Sequence, residues 1–359
     1  MSSTRLWLGT YPPTGPDGTP DAGEAVWALD LDSETGALHG APAATAAAPS
    51  FVVATPDGRT VFAAGETSPG IVTRFDVEGR ALVRREQVAS GGAGPCHLLL
   101  DPVGRALYVS NYGSGTIAVV PLRPDGGFAG GVAQVFDHSG SGPDVDRQEG
   151  PHAHSTLLAP GGRHLLALDL GTDEIRRYRI AADGRLAADG VAATMRPGTG
   201  PRHAAVSGDH LYVVGELTST VHVLAWDAET ATAREVQVLP ACESPLATGS
   251  HMYPAHVVVA EDRVLVSVRG ADVIASFAIH DGGARLAHGV DVGVGGGWPR
   301  HFAVVGEWVV VAVQNGGRVV SLPLVDLRRT TPSNSREVGT VPTERMLEVP
   351  YPACVELHL

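Results

Sequence analysis

Short apolar runs, each closed by a turn, follow one another along this chain. Pro95-Cys96-His97-Leu98-Leu99-Leu100 runs into Asp101-Pro102-Val103-Gly104-Arg105 and then Ala106-Leu107-Tyr108-Val109-Ser110-Asn111. A turn at Gly113-Ser114-Gly115 leads to a third run, Thr116 to Leu122. Apolar segments of this length, bounded by Gly, Pro and Asp, read as strands joined by tight turns. The same grammar returns at Pro201 to Trp226, Pro254 to Ile279 and Pro299 to Leu324. No segment holds apolar residues at helical spacing for the length of an amphipathic helix.

The units recur. Pro49, Pro95, Pro151, Pro201, Pro254, Pro299 and Pro352 each open an apolar strand, with gaps of 46, 56, 50, 53, 45 and 53 residues. A period near fifty predicts blades, so the chain is expected to be an all-β, seven-bladed β-propeller. The last unit is split: Pro352 to Leu359 is a first strand with nothing after it, while Arg5 to Tyr11 and Ala25 to Leu31 supply a second and a third. Both chain ends then share one sheet and close the ring. A ring of sheets has no single growing core, so 359 residues are read as one domain, 1–359. The 45 Gly and 26 Pro fall between strands, as turn residues rather than linkers.

Charge narrows the partners. A net charge of −13 with no basic run disfavours nucleic acid and anionic membrane. Cys96, Cys242 and Cys354 have no metal-binding spacing and are odd in number, which fits a reducing compartment. The start at Met1 to Arg5 leads straight into a strand without a signal-like apolar core, and no run reaches membrane-spanning length. The expectation is a cytoplasmic protein. The residues define no oligomeric state.

First and second strands of a blade are antiparallel, so the start of one and the end of the other share a face of the disc, where the innermost strands surround a channel. The first-strand starts give His97, His152, His154, Arg202, His203, His256, Arg300 and His301. The second-strand ends give Glu66, Asn111, Asp169, Glu216, Arg269, Gln314 and Asn315. A histidine here can be architectural, bridging the backbones of neighbouring blades, and His97 and His256 are assigned that role more readily than His154. Arginine is harder to explain so, because Arg202, Arg269 and Arg300 each bring a permanent charge that is costly to desolvate without an anion. Glu216 alone does not balance three. The expected partner is a small anionic ligand held by guanidinium forks.

These residues resemble the seven-bladed lactonase family, which includes propeller-type 6-phosphogluconolactonase and carboxy-cis,cis-muconate cyclase. The resemblance spans nearly the whole chain. It is carried by Arg147-Gln148-Glu149-Gly150-Pro151-His152-Ala153-His154-Ser155, Asp169-Leu170-Gly171-Thr172-Asp173, Gly200-Pro201-Arg202-His203 with Glu216-Leu217, and Gly297-Trp298-Pro299-Arg300-His301-Phe302 with Gln314. It departs in blade five, where Ser267-Val268-Arg269-Gly270 stands in place of Ser-Asn-Arg-Gly and Ala255-His256 in place of an acidic residue. The resemblance implies opening of a sugar-acid lactone, or the ring closure of a muconate, with His154, Arg202, Glu216 and Arg269 as the catalytic set. His152, His203, Arg300, His301, Gln314 and Asp169 are the expected substrate-binding residues.

Lactone opening needs an activated water, a stabilised oxyanion and a proton for the departing alkoxide. Glu216 or His154 is the base, with His154 the better one at neutral pH because arginines depress a carboxylate's basicity. Arg202 and Arg269 take the anion and the oxyanion. No Gly-x-Ser-x-Gly elbow is present, which disfavours a serine nucleophile. No cofactor or metal is expected; Glu66, Asn111, Asp169 and Glu216 could hold a hard cation, but the arginines oppose it. The alternative from another class is a non-catalytic propeller that binds a small ligand or a protein. The stretch His138 to Asp144 reads as a solvated rim loop, and Asp326 to Glu348, with Arg328, Arg329, Arg336 and Arg345, as a surface excursion.

Overall fold

The computed structural model describes residues 3–11, 24–329 and 341–358. Seven four-stranded antiparallel sheets stand in a ring. Blade 1 runs outward through Pro49–Ala54, Thr60–Gly65, Ile71–Glu78 and Ala81–Ala89. Blades 2 to 6 follow in chain order, their innermost strands being Pro95–Leu100, Ala153–Leu158, Pro201–Ser207, Tyr253–Ala260 and Pro299–Val305. Blade 7 combines Pro352–Leu357 with Ser3–Thr10, Ala25–Asp32 and Leu38–Thr45, in register Leu6↔Leu357, Trp7↔Glu356 and Leu8↔Val355. The ring is therefore closed by both ends of the chain, as the split seventh unit predicts.

Sequence reading gave three strands per unit, and the structure adds a fourth. Outer strands such as Ala81–Ala89 and Thr232–Pro240 have a solvated face and carry charge, so they lack the apolar run that marks the inner ones. In blade 6 the outer strand is Met346–Glu348, which belongs to the stretch read as a surface excursion. Arg336 in that stretch lies outside the described residues. Among the described residues the only α-helix is the single turn Leu324–Leu327.

Apolar side chains gather in seven clusters, one between each pair of neighbouring blades. Leu6, Leu8 and Leu29 of blade 7 meet Val310 and Ala312 of blade 6, and Trp7 and Val26 meet Val52 and Phe75 of blade 1. Each of these is at most a few per cent exposed, and burying a side chain of this size stabilises by roughly 1.5–3 kcal/mol. Stability thus resides in blade interfaces, and closing the last one matters as much as forming any other.

The repeated proline has a structural cause. The residue before it is in the left-handed region at Ala48, Gly94, Gly200, Trp298 and Tyr351, with φ between 40° and 73°, and proline's restricted φ then sets the chain into the strand. That turn aims the preceding carbonyl at the end of the second strand. Glu66 N donates to Ala48 O, Tyr112 N to Gly94 O, Glu216 N to Gly200 O, Gln314 N to Trp298 O and Tyr11 N to Tyr351 O, all at 2.8–3.0 Å. Blade 3 makes the same bond from Leu170 N to His152 O. There Ala153, not Pro151, takes the anchor position.

A register shift follows in every innermost strand, as at Pro95/His97, Ala153/Ser155 and Pro299/His301. Such bulges re-aim side chains. Here they send the residue after the anchor to the mouth, and the next one in blades 1, 2, 4, 5 and 6, namely Phe51, His97, His203, His256 and His301, into one cluster of rings.

Candidate active site at the channel mouth

Two tiers of side chains line the mouth. The upper tier is the residue following each second strand, or in blade 5 the last residue of that strand: Tyr11, Glu66, Tyr112, Leu170, Glu216, Arg269 and Gln314. The lower tier is the residue after each anchor: Ser50, Cys96, His154, Arg202, Ala255, Arg300 and Ala353. Contacts join the tiers at several points, Ser50 Oγ donating to Glu66 Oε2 at 2.5 Å and Arg300 Nη2 to the Tyr11 hydroxyl at 2.8 Å.

Glu216, 3% exposed, is the focus of three guanidinium groups. Arg147 Nη2 donates to Oε1 at 2.8 Å, while Arg202 Nε and Arg269 Nη2 lie 2.8 and 2.9 Å from Oε2. Burial alone would raise the Glu216 pKa, but Arg269 and Arg202, with Arg147 beside them, outweigh it and hold the carboxyl well below its usual range. Burial, and then Arg269 beside it, bring Arg202 down to about 9, which still leaves it charged at neutral pH. Both arginines are anchored by backbone: Arg202 Nη1 donates to Ala255 O, and Arg269 Nε to Tyr253 O at 3.0 Å, with its guanidinium over the Tyr253 and Trp298 rings. The contacts on Oε2 are not aligned as hydrogen bonds, so Arg202 Nε, Arg269 Nη2 and Glu216 Oε2 are buried polar atoms without a hydrogen-bond partner. Such atoms normally have one.

His154 stands beside this cluster, its ring edge-on to Tyr112 and its Nδ1 3.9 Å from Cys96 Sγ. Burial first, and Arg202 second, depress its pKa well below 6.5, so the imidazole is neutral at physiological pH. Beneath it, His97, His203, His256 and His301 pack with Phe51 ring against ring. His203 Nδ1 is 2.8 Å from His256 Nδ1, the His256 and His301 rings stack at 3.7 Å, and His97 and Phe51 meet at 4.5 Å. These rings floor the mouth. Two of them also tie blades together, His97 Nδ1 accepting from Thr156 N and His301 Nδ1 from Val355 N.

The structure thus brings His154, Arg202, Glu216, Arg269, Arg300 and Gln314 to the mouth and moves other expected residues away from it. His203 and His301 belong to the floor. Asp169 lies one residue short of the upper tier and is fully buried. Its Oδ1 accepts from the backbone of His152, Gly171 and Thr172, and Oδ2 from His138 Nδ1 at 2.5 Å, which spends the carboxylate on shaping the entry to blade 3. A Cβ on Gly171 in that turn would lie 1.9 Å from Gly150 O, so only glycine fits. His152 is likewise engaged, stacked on Tyr112 and donating Nδ1–H to Tyr112 O at 3.0 Å. Asn111 Nδ2 donates to Ser90 O and Thr116 Oγ1 while its buried Oδ1 has no partner, and among the described residues no three His, Cys, Asp or Glu side chains gather as a metal site. His138 is a buried partner of Asp169 and Tyr178 rather than part of a solvated loop.

Sequence reading missed Arg147, Tyr11, Tyr112 and Ser50. Arg147 was visible as the first residue of the third-blade stretch, but it reaches the mouth from a loop. The other three occupy tier positions that become apparent only once the seven units are aligned on the shared backbone bond.

A seven-bladed ring with a cationic, acid/base-bearing mouth defines the class. The chain belongs to the lactonase family of seven-bladed β-propellers, whose family model, described as "Lactonase, 7-bladed beta-propeller", matches residues 5–356. It is 29% identical over 362 residues to the 6-phosphogluconolactonase of Bacillus subtilis, covering 98% of each chain. It is 28% identical to the probable 6-phosphogluconolactonase of Arthroderma benhamiae, covering 92% of this chain and 86% of that one. Among solved structures, the periplasmic gluconolactonase PpgL of Pseudomonas aeruginosa superposes with a TM-score of 0.83 at 27% identity, over 99% of both chains. That neighbour is periplasmic, so family membership does not imply the cytoplasmic location expected from the sequence. Among the described residues no helix is long and apolar enough to cross a membrane.

Proposed function

We propose that the mouth hydrolyses a small anionic sugar lactone of the 6-phosphogluconolactone kind. The observation that carries this reading is the set of three unaligned buried polar atoms, Arg202 Nε, Arg269 Nη2 and Glu216 Oε2, beside a neutral imidazole. With Arg147 and Arg300, the mouth has four guanidinium groups against the carboxylates of Glu66 and Glu216, and this local excess of positive charge favours an anion despite the acidic exterior. The resemblance to proteins named 6-phosphogluconolactonase supports the same substrate class.

In the proposed reaction His154 takes a proton from water as its oxygen attacks the lactone carbonyl carbon. Arg202 and Arg269 stabilise the oxyanion. As the tetrahedral intermediate collapses, the ring C–O bond breaks and the proton held by His154 passes to the departing alkoxide, leaving a hydroxy acid that ionises. Glu216, too acidic to act as the base, holds the guanidinium groups in place, and Arg147 receives the anionic substituent. Since the oxygens of Glu216 face arginines, no metal is assigned to this step.

The test is hydrolysis of freshly prepared 6-phosphogluconolactone by wild type and Arg202→Ala, with and without a chelator. Turnover insensitive to the chelator and reduced at least about a hundredfold in the variant is expected, the scale of losing an oxyanion donor. Equal turnover by the variant overturns the assignment of the site. Activity instead on a carboxymuconate, followed by loss of its ultraviolet absorbance, replaces hydrolysis with cyclisation.

A further inference from the structure

The mouth is chemically lopsided. Blades 3 to 5 supply Arg147, His154, Arg202, Glu216 and Arg269, the groups that take part in the proposed reaction. The opposite arc, blades 6, 7 and 1, presents Gln314, Tyr11 and Glu66 in the upper tier over Arg300 and Ser50. None of its upper-tier groups has a part in that reaction.

The hydrogen bonds of this arc run in one direction. Arg300 Nη2 donates to the Tyr11 hydroxyl, and its guanidinium sits over the Tyr11 ring at 4.6 Å. The Tyr11 hydroxyl in turn donates to Glu66 Oε2, which also accepts from Ser50 Oγ at 2.5 Å. One oxygen of Glu66 is thereby fixed by two donors. Its other oxygen, Oε1, makes no hydrogen bond among the described residues. Two upper-tier positions away, Gln314 Oε1 is buried with no partner. The arc thus leaves two acceptors at the mouth, one of them an orphan that buried polar groups rarely are, beside N–H groups of Arg300 and Gln314 that make no side-chain hydrogen bond among the described residues.

Acceptors standing beside unused donors call for a ligand group that both donates and accepts. A carboxylate or phosphate has no proton to give at neutral pH and is repelled by Glu66, whereas an alcohol donates readily and a carboxylate accepts well from a hydroxyl. Resting on the lactone reading above, we propose that Glu66 and Gln314 form a hydroxyl-reading subsite opposite Arg147, Arg202 and Arg269. Its ligand is the polyol edge of a lactone whose anionic group lies on the other arc. Tyr11 is a positioning residue there, standing between Arg300 and Glu66 and fixing the carboxylate. The subsite selects a polyhydroxylated lactone over a muconate-derived one, which carries carboxylates but no alcohol.

The experiment compares kcat/KM of the full chain for 6-phosphogluconolactone and for its 2-deoxy and 3-deoxy analogues, in wild type, Gln314→Leu and Glu66→Ala. Gln314→Leu removes an unpartnered acceptor and breaks no side-chain hydrogen bond, so its thermal unfolding midpoint is expected not to fall. Wild type is expected to prefer the parent lactone over at least one analogue by about tenfold or more, since a site built around a hydroxyl is left unsatisfied by its absence. In one or both variants that ratio shrinks several-fold. Equal kcat/KM for parent and both analogues in wild type overturns the subsite and leaves the lactonase reading standing. A wild-type preference unchanged in both variants overturns the assignment to these residues. Failure to turn over any of the three lactones sinks the lactonase reading first, and the subsite with it.

Discussion

Arg147 Nη2 and Glu216 Oε1 are 2.8 Å apart although 69 positions separate them in the chain. The first residue sits on the loop entering blade 3 and the second at the end of the second strand of blade 4. Arg147 is also the outermost of the three cations, its side chain 36% exposed against 3% for Arg202 and 6% for Arg269. An anion arriving from solution meets it first, and Glu216 holds it ready without burying it.

Removing that cation is predicted to affect ligand capture more than folding. Arg147→Ala should raise KM for an anionic lactone about 10- to 100-fold, the scale of a lost charge-assisted contact. Its unfolding midpoint should move little because a partly exposed pair adds little to stability. Steady-state kinetics beside a thermal melt separates the two effects. A KM like that of wild type argues that Arg147 serves only to brace Glu216.

Glu216→Gln should behave in the opposite way. It leaves Arg202 and Arg269 buried with no carboxylate between them, and breaking a buried ion pair from one side costs about 3–5 kcal/mol. Urea denaturation should show that loss. A further Arg202→Met change should recover part of it, because the two substitutions share one electrostatic partner. Full wild-type stability in the single variant contradicts the ion-pair geometry.

Much of this fold and mouth is legible in the sequence. Proline recurs because each blade repeats one left-handed turn into a bulged strand, and that constraint shows directly as spacing. Arg202, Glu216 and Arg269 were legible for the same reason: position within a repeat places a side chain at the mouth. Blade 3 misled because its proline stands two residues before the anchor, which put His152 in a site that His154 and the floor histidines fill. Asp169 and Asn111 were one residue off, since the tier residue follows the last rung of the ladder and no change in hydropathy marks it. Outer strands escaped notice because a solvated face dilutes their apolar pattern, and Arg147 because a loop residue has no repeat to align with.

The floor of the mouth should make the protein acid-sensitive. Burial, and then Arg202, lower the pKa of His97 and of His256 from 6.5 to about 3. Between those values the unfolded chain binds protons that the folded one refuses, so stability is full above pH 6.5 and falls as pH drops toward 3. The slope is about 1.4 kcal/mol per pH unit for each histidine involved. Urea midpoints between pH 7 and 4.5 should decline accordingly, and His256→Asn should flatten the decline by one histidine's share. A variant with the wild-type slope would mean that His256 is not held neutral.

A single carboxyl farther along the channel should act against that trend. Burial pushes Glu356, on the innermost strand of blade 7, up to about 7 from 4.5, with only Ala54 N donating to it in opposition. Here the folded state holds the proton more tightly, so the favourable contribution is present below pH 4.5 and is lost as pH rises through 7. Glu356→Gln keeps the neutral form at every pH. The variant should therefore gain on wild type as pH rises, by on the order of 1–3 kcal/mol at pH 8 and by nothing at pH 4. Because Trp7 and Glu356 are paired across the junction of the two chain ends, the gain falls on the strand pair that closes the ring. It should appear as slower unfolding of Glu356→Gln at pH 8 if opening that seam precedes loss of the remaining blades, and as faster refolding alone if the seam is already formed in the transition state.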